Sequence, residues 1–178
     1  MALKEIDRYL TVAGCSVYLL DDKGLPESFP LGIDCEVTLP SVTHPTSDAQ
    51  LMGSMSVPNQ TSIEALECTI SLPDSAAANK CRKKGVVGFM IRHAVSISQA
   101  ESGEVTLGGF TATVKGLISG KEGLAIAPAG ESSTNITIQC TYYRFVDDSD
   151  TEVINIDRPN GILNIMGEDY RKELRDLL

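Results

Sequence analysis

Polar and apolar residues alternate strictly from 135 to 142. Asn135, Thr137, Gln139 and Thr141 point to one side; Ile136, Ile138, Cys140 and Tyr142 point to the other. A period of two marks a half-buried strand. The pattern recurs along the chain. Over 32–39, Ile33, Cys35, Val37 and Leu39 alternate with Asp34, Glu36 and Thr38 until Pro40 stops the strand. Over 61–72, Leu66, Cys68, Ile70 and Leu72 oppose Glu67, Thr69 and Ser71. Val87, Phe89, Ile91, Val95 and Ile97 line one face of a strand over 86–98, with His93 among them. Over 104–119, Phe110, Ala112 and Val114 oppose Thr111, Thr113 and Lys115, and Gly108-Gly109 suggests a bulge. Shorter strands are predicted at 15–20 and 152–156. Residues 1–14 fit a helix or an extended arm equally well.

Two segments read as helices. Residues 73–84 have Asp74 at the start, Lys80, Arg82, Lys83 and Lys84 toward the end, and Gly85 as a C′ residue. The charged segment 167–178 forms a second, C-terminal helix, and 120–133 is a Gly/Ala/Ser-rich connection. About six or seven strands in series, with no βαβ alternation and no repeat, predict a mainly β fold. It is an antiparallel sandwich or barrel with one flanking internal helix and a short terminal one, a single domain over 1–178.

Residues 40–60 break the alternation with three prolines, one glycine and a single formal charge, Asp48, yet hold Leu51, Met52, Met55 and Val57. Disordered loops are charged and poor in large apolar residues. This composition points to a loop covered by a partner, or one folded back on its own core.

Composition narrows the function classes. The 24 acidic and 15 basic residues give a net charge of −9, which argues against phosphate-neutralising nucleic-acid binding. Five cysteines without a CxxC pair read as reduced, buried thiols. The start of the chain lacks the basic and apolar regions of a signal peptide, and no apolar run reaches the ~20 residues of a membrane span, so a cytoplasmic origin is expected. The sequons at Asn59 and Asn135 are then chance matches.

No catalytic motif stands out: no GxSxG, HExxH, Walker loop or GxGxxG after a strand. His44 in the long loop leaves a monomeric binding module or hydrolase as the competing class. Asp147, Asp148, Asp150 and Glu152 read as an acidic turn, because an EF-hand Gly and spaced Glu are missing. No metal and no cofactor are expected. The recurring feature is a wet, Thr-rich second face, which is either the outer side of a half-exposed sheet or the lining of a water-filled channel.

Several ordered segments resemble the major tail tube proteins of contractile-tailed bacteriophages and phage-tail-like bacteriocins. Residues 36–40, EVTLP, resemble the strand end entering the family's long loop, and 52–57, MGSMSV, its loop segment. Residues 139–145, QCTYYRF, and 153–169, VINIDRPNGILNIMGED, resemble its C-terminal strand, return and helix. The resemblance implies a non-enzymatic structural subunit whose hexameric rings stack helically into a tube, with the inner sheets joined into one continuous β-barrel. It implies a place in the virion tail after assembly in the host cytoplasm. The implied partners are further copies of the chain, the tail sheath protein, baseplate and tail-terminator proteins, and a tape-measure protein in the lumen during assembly. DNA would pass through without specific binding. A type VI secretion tube is similar in fold and stays an alternative.

Under that resemblance Asp34, Glu36, Thr38, Glu67, Thr69, Thr111, Thr113, Lys115, Thr137, Gln139 and Thr141 are lumen candidates, with Lys115 paired to a neighbouring carboxylate. Leu51, Met52, Met55 and Val57 are inter-ring candidates. Lys80, Arg82, Lys83, Lys84, Arg171, Lys172 and Arg175 are candidates for subunit or sheath contact.

Overall fold

The structure is a computed structural model, and it describes residues 8–50, 54–73, 75–81, 85–99, 105–121 and 133–177. It is mainly antiparallel β. The strands are β1 (Arg8–Leu19), β2 (Gly32–Ile33), β3 (Glu36–Thr38), β4 (Thr46–Gln50), β5 (Ser54–Pro58), β6 (Leu66–Leu72), β7 (Val87–Gln99), β8 (Val105–Lys121), β9 (Thr134–Val146), β10 (Glu152–Asp157), β11 (Ile162–Ile165) and β12 (Glu168–Asp169). The helices are α1 (Ser75–Lys80) and α2 (Lys172–Leu177).

One sheet runs β2-β1-β7-β8-β9, and β9 then serves two partners. Its first half pairs with β6, which pairs in turn with β3. Its second half pairs with β10, which continues through β11 to β12. Only Asp34 and Cys35 separate β2 at one edge from β3 at the other. Three Cα steps reach roughly 11 Å, whereas seven strands laid flat would hold those edges about 29 Å apart. The sheet therefore rolls until its edges approach. Val17, Phe89, Ile91, Val114, Ile136, Ile138, Cys68 and Ile70 fill the inside, and Ala77, Ala78 and Cys81 of the α1 region join the same cluster.

Several expected boundaries change, each for a local reason. The strand expected over 32–39 is broken at Asp34, whose φ of 53° lies in the left-handed region and turns the chain from one edge to the other. Ile33 consequently leaves the expected apolar face and is 63% exposed. Of the two readings left open for 1–14, residues 8–14 take the extended one as part of β1, and 1–7 lie outside the described residues. The segment 40–60, expected as a loop, holds the β4–β5 hairpin. The internal helix is shorter than 73–84, and Gly85, with φ of 111°, lies beyond its end. The helix expected over 167–178 begins only at Lys172, because Glu168–Asp169 pair with β11.

No register shift occurs at Gly108-Gly109, since β7 and β8 pair without interruption from Val87↔Gly116 to Ser98↔Val105. The shifts lie between β8 and β9, at Lys115/Gly116 and Ile118/Gly120. The first makes Thr141 an extra residue opposite a continuous partner. A bulge of this kind reverses side-chain alternation. Tyr142, expected to face inward with Cys140, turns to the outer face, and Tyr143 enters the core, 3% exposed.

Candidate assembly surfaces

The outer wall of the rolled sheet gathers most of the polar alternates. Antiparallel pairing places Glu36 opposite Ser71 and Thr38 opposite Thr69. It then places Ser71 opposite Asn135, Thr69 opposite Thr137 and Glu67 opposite Gln139. On β8, Leu117 lies opposite Gln139. These rows form one four-stranded stave, β3-β6-β9-β8. Gln139 Nε2 donates to Glu67 Oε2 at 2.6 Å across it. Glu36, Thr38, Glu67, Thr69, Thr137 and Gln139 thus come together on one face. Ser71 and Asn135, which the alternation puts on the polar faces but outside the channel candidates, belong to the same rows, as does Leu117.

The remaining channel candidates lie elsewhere. Thr111, Thr113 and Lys115 occupy the same side of β8, but beyond the bulge, in rows with Arg92, Met90 and Arg144. Lys115 stands over the Tyr142 ring, 5.4 Å from its centroid, and forms no ion pair among the described residues. Thr141 is the bulge residue, and its hydroxyl donates to the Lys115 carbonyl at 3.3 Å. Asp34 sits apart at the corner, where its N–H donates to the Cys15 carbonyl at 2.6 Å.

Both edges of the stave are open among the described residues. β3 pairs only with β6. On β8, pairing with β7 ends at Gly116, which leaves residues 117–121 bonded on the β9 side alone. Such edges are templates for another strand.

The β4–β5 hairpin forms a separate two-stranded sheet. Its neck is pinned by Asn59 N–H to the Pro45 carbonyl at 2.8 Å and Glu64 N–H to the Thr43 carbonyl at 2.9 Å. His44 Nδ1 contacts the Ser62 carbonyl at 2.7 Å, and its ring tilts against Tyr170. The imidazole thus helps hold the neck. Met55 and Val57 share one face of β5, and Met55 is 54% exposed. Leu51 and Met52 lie outside the described residues. An isolated hairpin of this size is marginal in water, so this one calls for a covering surface.

The basic candidates differ in character. Lys80 and Lys172 are exposed, whereas Arg82, Lys83 and Lys84 lie outside the described residues. Arg175 is held by Asp169 and by the Gly161 carbonyl at 2.9 Å, latching α2 to the β10–β11 turn. Arg171 lines a cavity with its Nε enclosed.

The acidic turn closes on itself. Asp147 Oδ1 accepts from Ser149 Oγ at 2.7 Å and Thr151 N at 2.9 Å. The Ser149 hydroxyl bond is the leading reason its carboxyl titrates below the usual range. Burial pushes the Cys68 thiol up to about 12 and the Cys140 thiol to about 11. Four cysteines are buried, Cys15 is half-buried, and the five form no disulfide among the described residues. Among the described residues, no His/Cys/Asp/Glu group could hold a metal ion, and no helix is long and apolar enough to cross a membrane.

A rolled antiparallel sheet with two open stave edges, an unsupported hairpin and a polar outer wall defines a protein that functions through surfaces offered to other protein chains. The family model for phage tail tube protein FII matches residues 28–178, and the chain belongs to that family of tail tube subunits. No curated protein matches it.

Proposed function

We propose that the chain is the inner-tube subunit of a contractile phage tail. Hexameric rings join edge to edge, stack helically inside a sheath, and conduct DNA from the virion. The observation behind this reading is the polar stave with an open edge on each side. Pairing residues 117–121 of one copy with β3 of the next is a head-to-tail contact. Repeated around a ring, it removes every stave edge and forms one barrel. The Glu36, Glu67, Thr69, Thr137 and Gln139 face then lines the lumen.

The chemistry of that wall suits passage without binding. Double-stranded DNA carries a charge about every 1.7 Å of axis. Glu36 and Glu67, repeated around each ring, repel it over a screening length of roughly 8 Å. Hydroxyl and amide groups keep the remaining wall hydrated. The hairpin face bearing Met55 and Val57 is buried against the next ring. The phage family match favours this reading over a secretion tube or a monomeric hydrolase.

The test is Glu36→Lys with Glu67→Lys in the phage. Both side chains lie on an exposed face away from the core, so tails of normal length are expected with DNA release slowed. Ejection kinetics equal to wild type, from tails of normal length, would show that these carboxylates do not face the channel.

A further inference from the structure

We propose that the cleft between the hairpin neck and the β10–β11 turn is a carboxylate socket for a second copy of this chain, filled by that copy's acidic turn, Asp147–Asp150. This rests on the tube reading. The cavity holds about 240 Å³, between Ser62 and Ile63 of the neck, Ile156 and Leu163 of the β10–β11 pair, and Arg158 and Arg171. One Arg158 amino group donates to the Glu64 carbonyl. The Arg171 Nε is enclosed and has no hydrogen-bond partner.

Neither guanidinium forms an ion pair among the described residues. The ion pairs among the described residues are Arg144–Glu152 and Arg175–Asp169. The neighbouring Asp157 is engaged by Asn160, whose Nδ2 donates to it at 2.7 Å. Two guanidinium groups lining one cavity with no ion pair among the described residues are unexpected in a chain of net charge −9. Arg158 and Arg171 line the cleft from two sides, and a carboxylate satisfies a guanidinium with paired, charge-assisted bonds.

The acidic turn supplies the complement. Asp148 and Asp150 are exposed and form no ion pair among the described residues. The turn precedes Glu152 at the start of β10, and Arg158 follows Asp157 at its end. Those six residues place donor and acceptor roughly 17–20 Å apart along one strand. They cannot meet within one chain. A second copy has to supply the turn, and because socket and turn are different patches of the chain the contact is head-to-tail and repeats from copy to copy.

Tube formation by the purified full chain, measured by sedimentation and electron microscopy at low salt, tests this. Arg158→Glu with Arg171→Glu should lower tube yield at least tenfold. Asp148→Lys with Asp150→Lys, on an exposed turn, should do the same. Combining all four changes should restore tubes, which a misfolded arginine variant could not do. Wild-type yield from both charge-reversed pairs overturns the socket. A loss confined to the arginine pair, or a four-fold variant no better than either pair, overturns the acidic turn as its occupant. A wild-type chain that never forms tubes overturns the tube reading itself.

Discussion

Gly116 sits where β8 changes register against β9, and a side chain there has no room. A Cβ built on it would lie 2.1 Å from the Gln139 carbonyl oxygen, 2.8 Å from that carbonyl carbon and 2.9 Å from the Cys140 Cα. All three are backbone atoms of the central strand, so no rotamer change relieves the contact. Gly116→Ala must push β8 from β9 by about 1 Å to restore ordinary contact, which stretches the adjacent ladder bonds beyond useful length. Losing two or three such bonds, at about 1 kcal/mol each, and loosening the packing of Val114 and Cys140, puts the cost at about 3–5 kcal/mol.

Gly120 on the same strand is the control. Its added Cβ would meet Thr137 at 3.7 Å, an ordinary contact, so Gly120→Ala should change stability by less than about 1 kcal/mol. Urea unfolding of the unassembled chain, followed by circular dichroism, measures both, and the Gly116 variant should melt about 10 °C lower for a chain of this size. A Gly116→Ala loss below about 1 kcal/mol, or one equal to that of Gly120→Ala, would refute the bulge geometry that divides the outer wall.

Two further outcomes follow from the same structure. Met55→Asp with Val57→Asp lies on a hairpin outside the core, so it should leave the melting of the unassembled chain within about 1 kcal/mol and yield rings without long tubes; full-length tubes by microscopy would show that this face is not an inter-ring contact. His93 packs against two aromatic rings, 5.1 Å from Phe110 and 6.2 Å from Phe145 centre to centre, and burial lowers its pKa. The folded chain therefore resists protonating it, so stability is full above the unfolded value near ~6.5 and falls as pH drops through that value toward the folded one. His93→Gln should flatten that part of the stability profile, and an unchanged slope from pH 7.5 to 5.5 would exclude His93 as its source.

Much of this architecture is legible in the chain because a half-buried strand repeats every two residues. The polar rows Glu67/Thr69/Ser71 and Asn135/Thr137/Gln139 fall on one face as their alternation requires. Alternation carries no record of where it reverses, so the flip at Thr141 was invisible from 135–142 alone. Gly116 was the available signal, since glycine within a strand marks a bulge or a close backbone approach. Asp34 was misplaced for a related reason: the pattern runs on through 32–39, while the left-handed turn that transfers the chain between edges leaves no periodic trace. The β4–β5 ribbon escaped because its small polar residues and prolines resemble a loop, and its pairing continues the neck beyond β3 and β6. The open stave edges and the Arg158–Arg171 cleft depend on long-range pairing, which local sequence cannot specify.

The most direct test of the account is a helical reconstruction, by electron cryo-microscopy, of tubes assembled from the purified chain. It predicts residues 117–121 of each copy hydrogen-bonded to Glu36–Thr38 of the next, with Glu67, Thr137 and Gln139 facing the lumen. A wall in which these side chains face the outer surface, or in which another pair of edges joins the subunits, would contradict it.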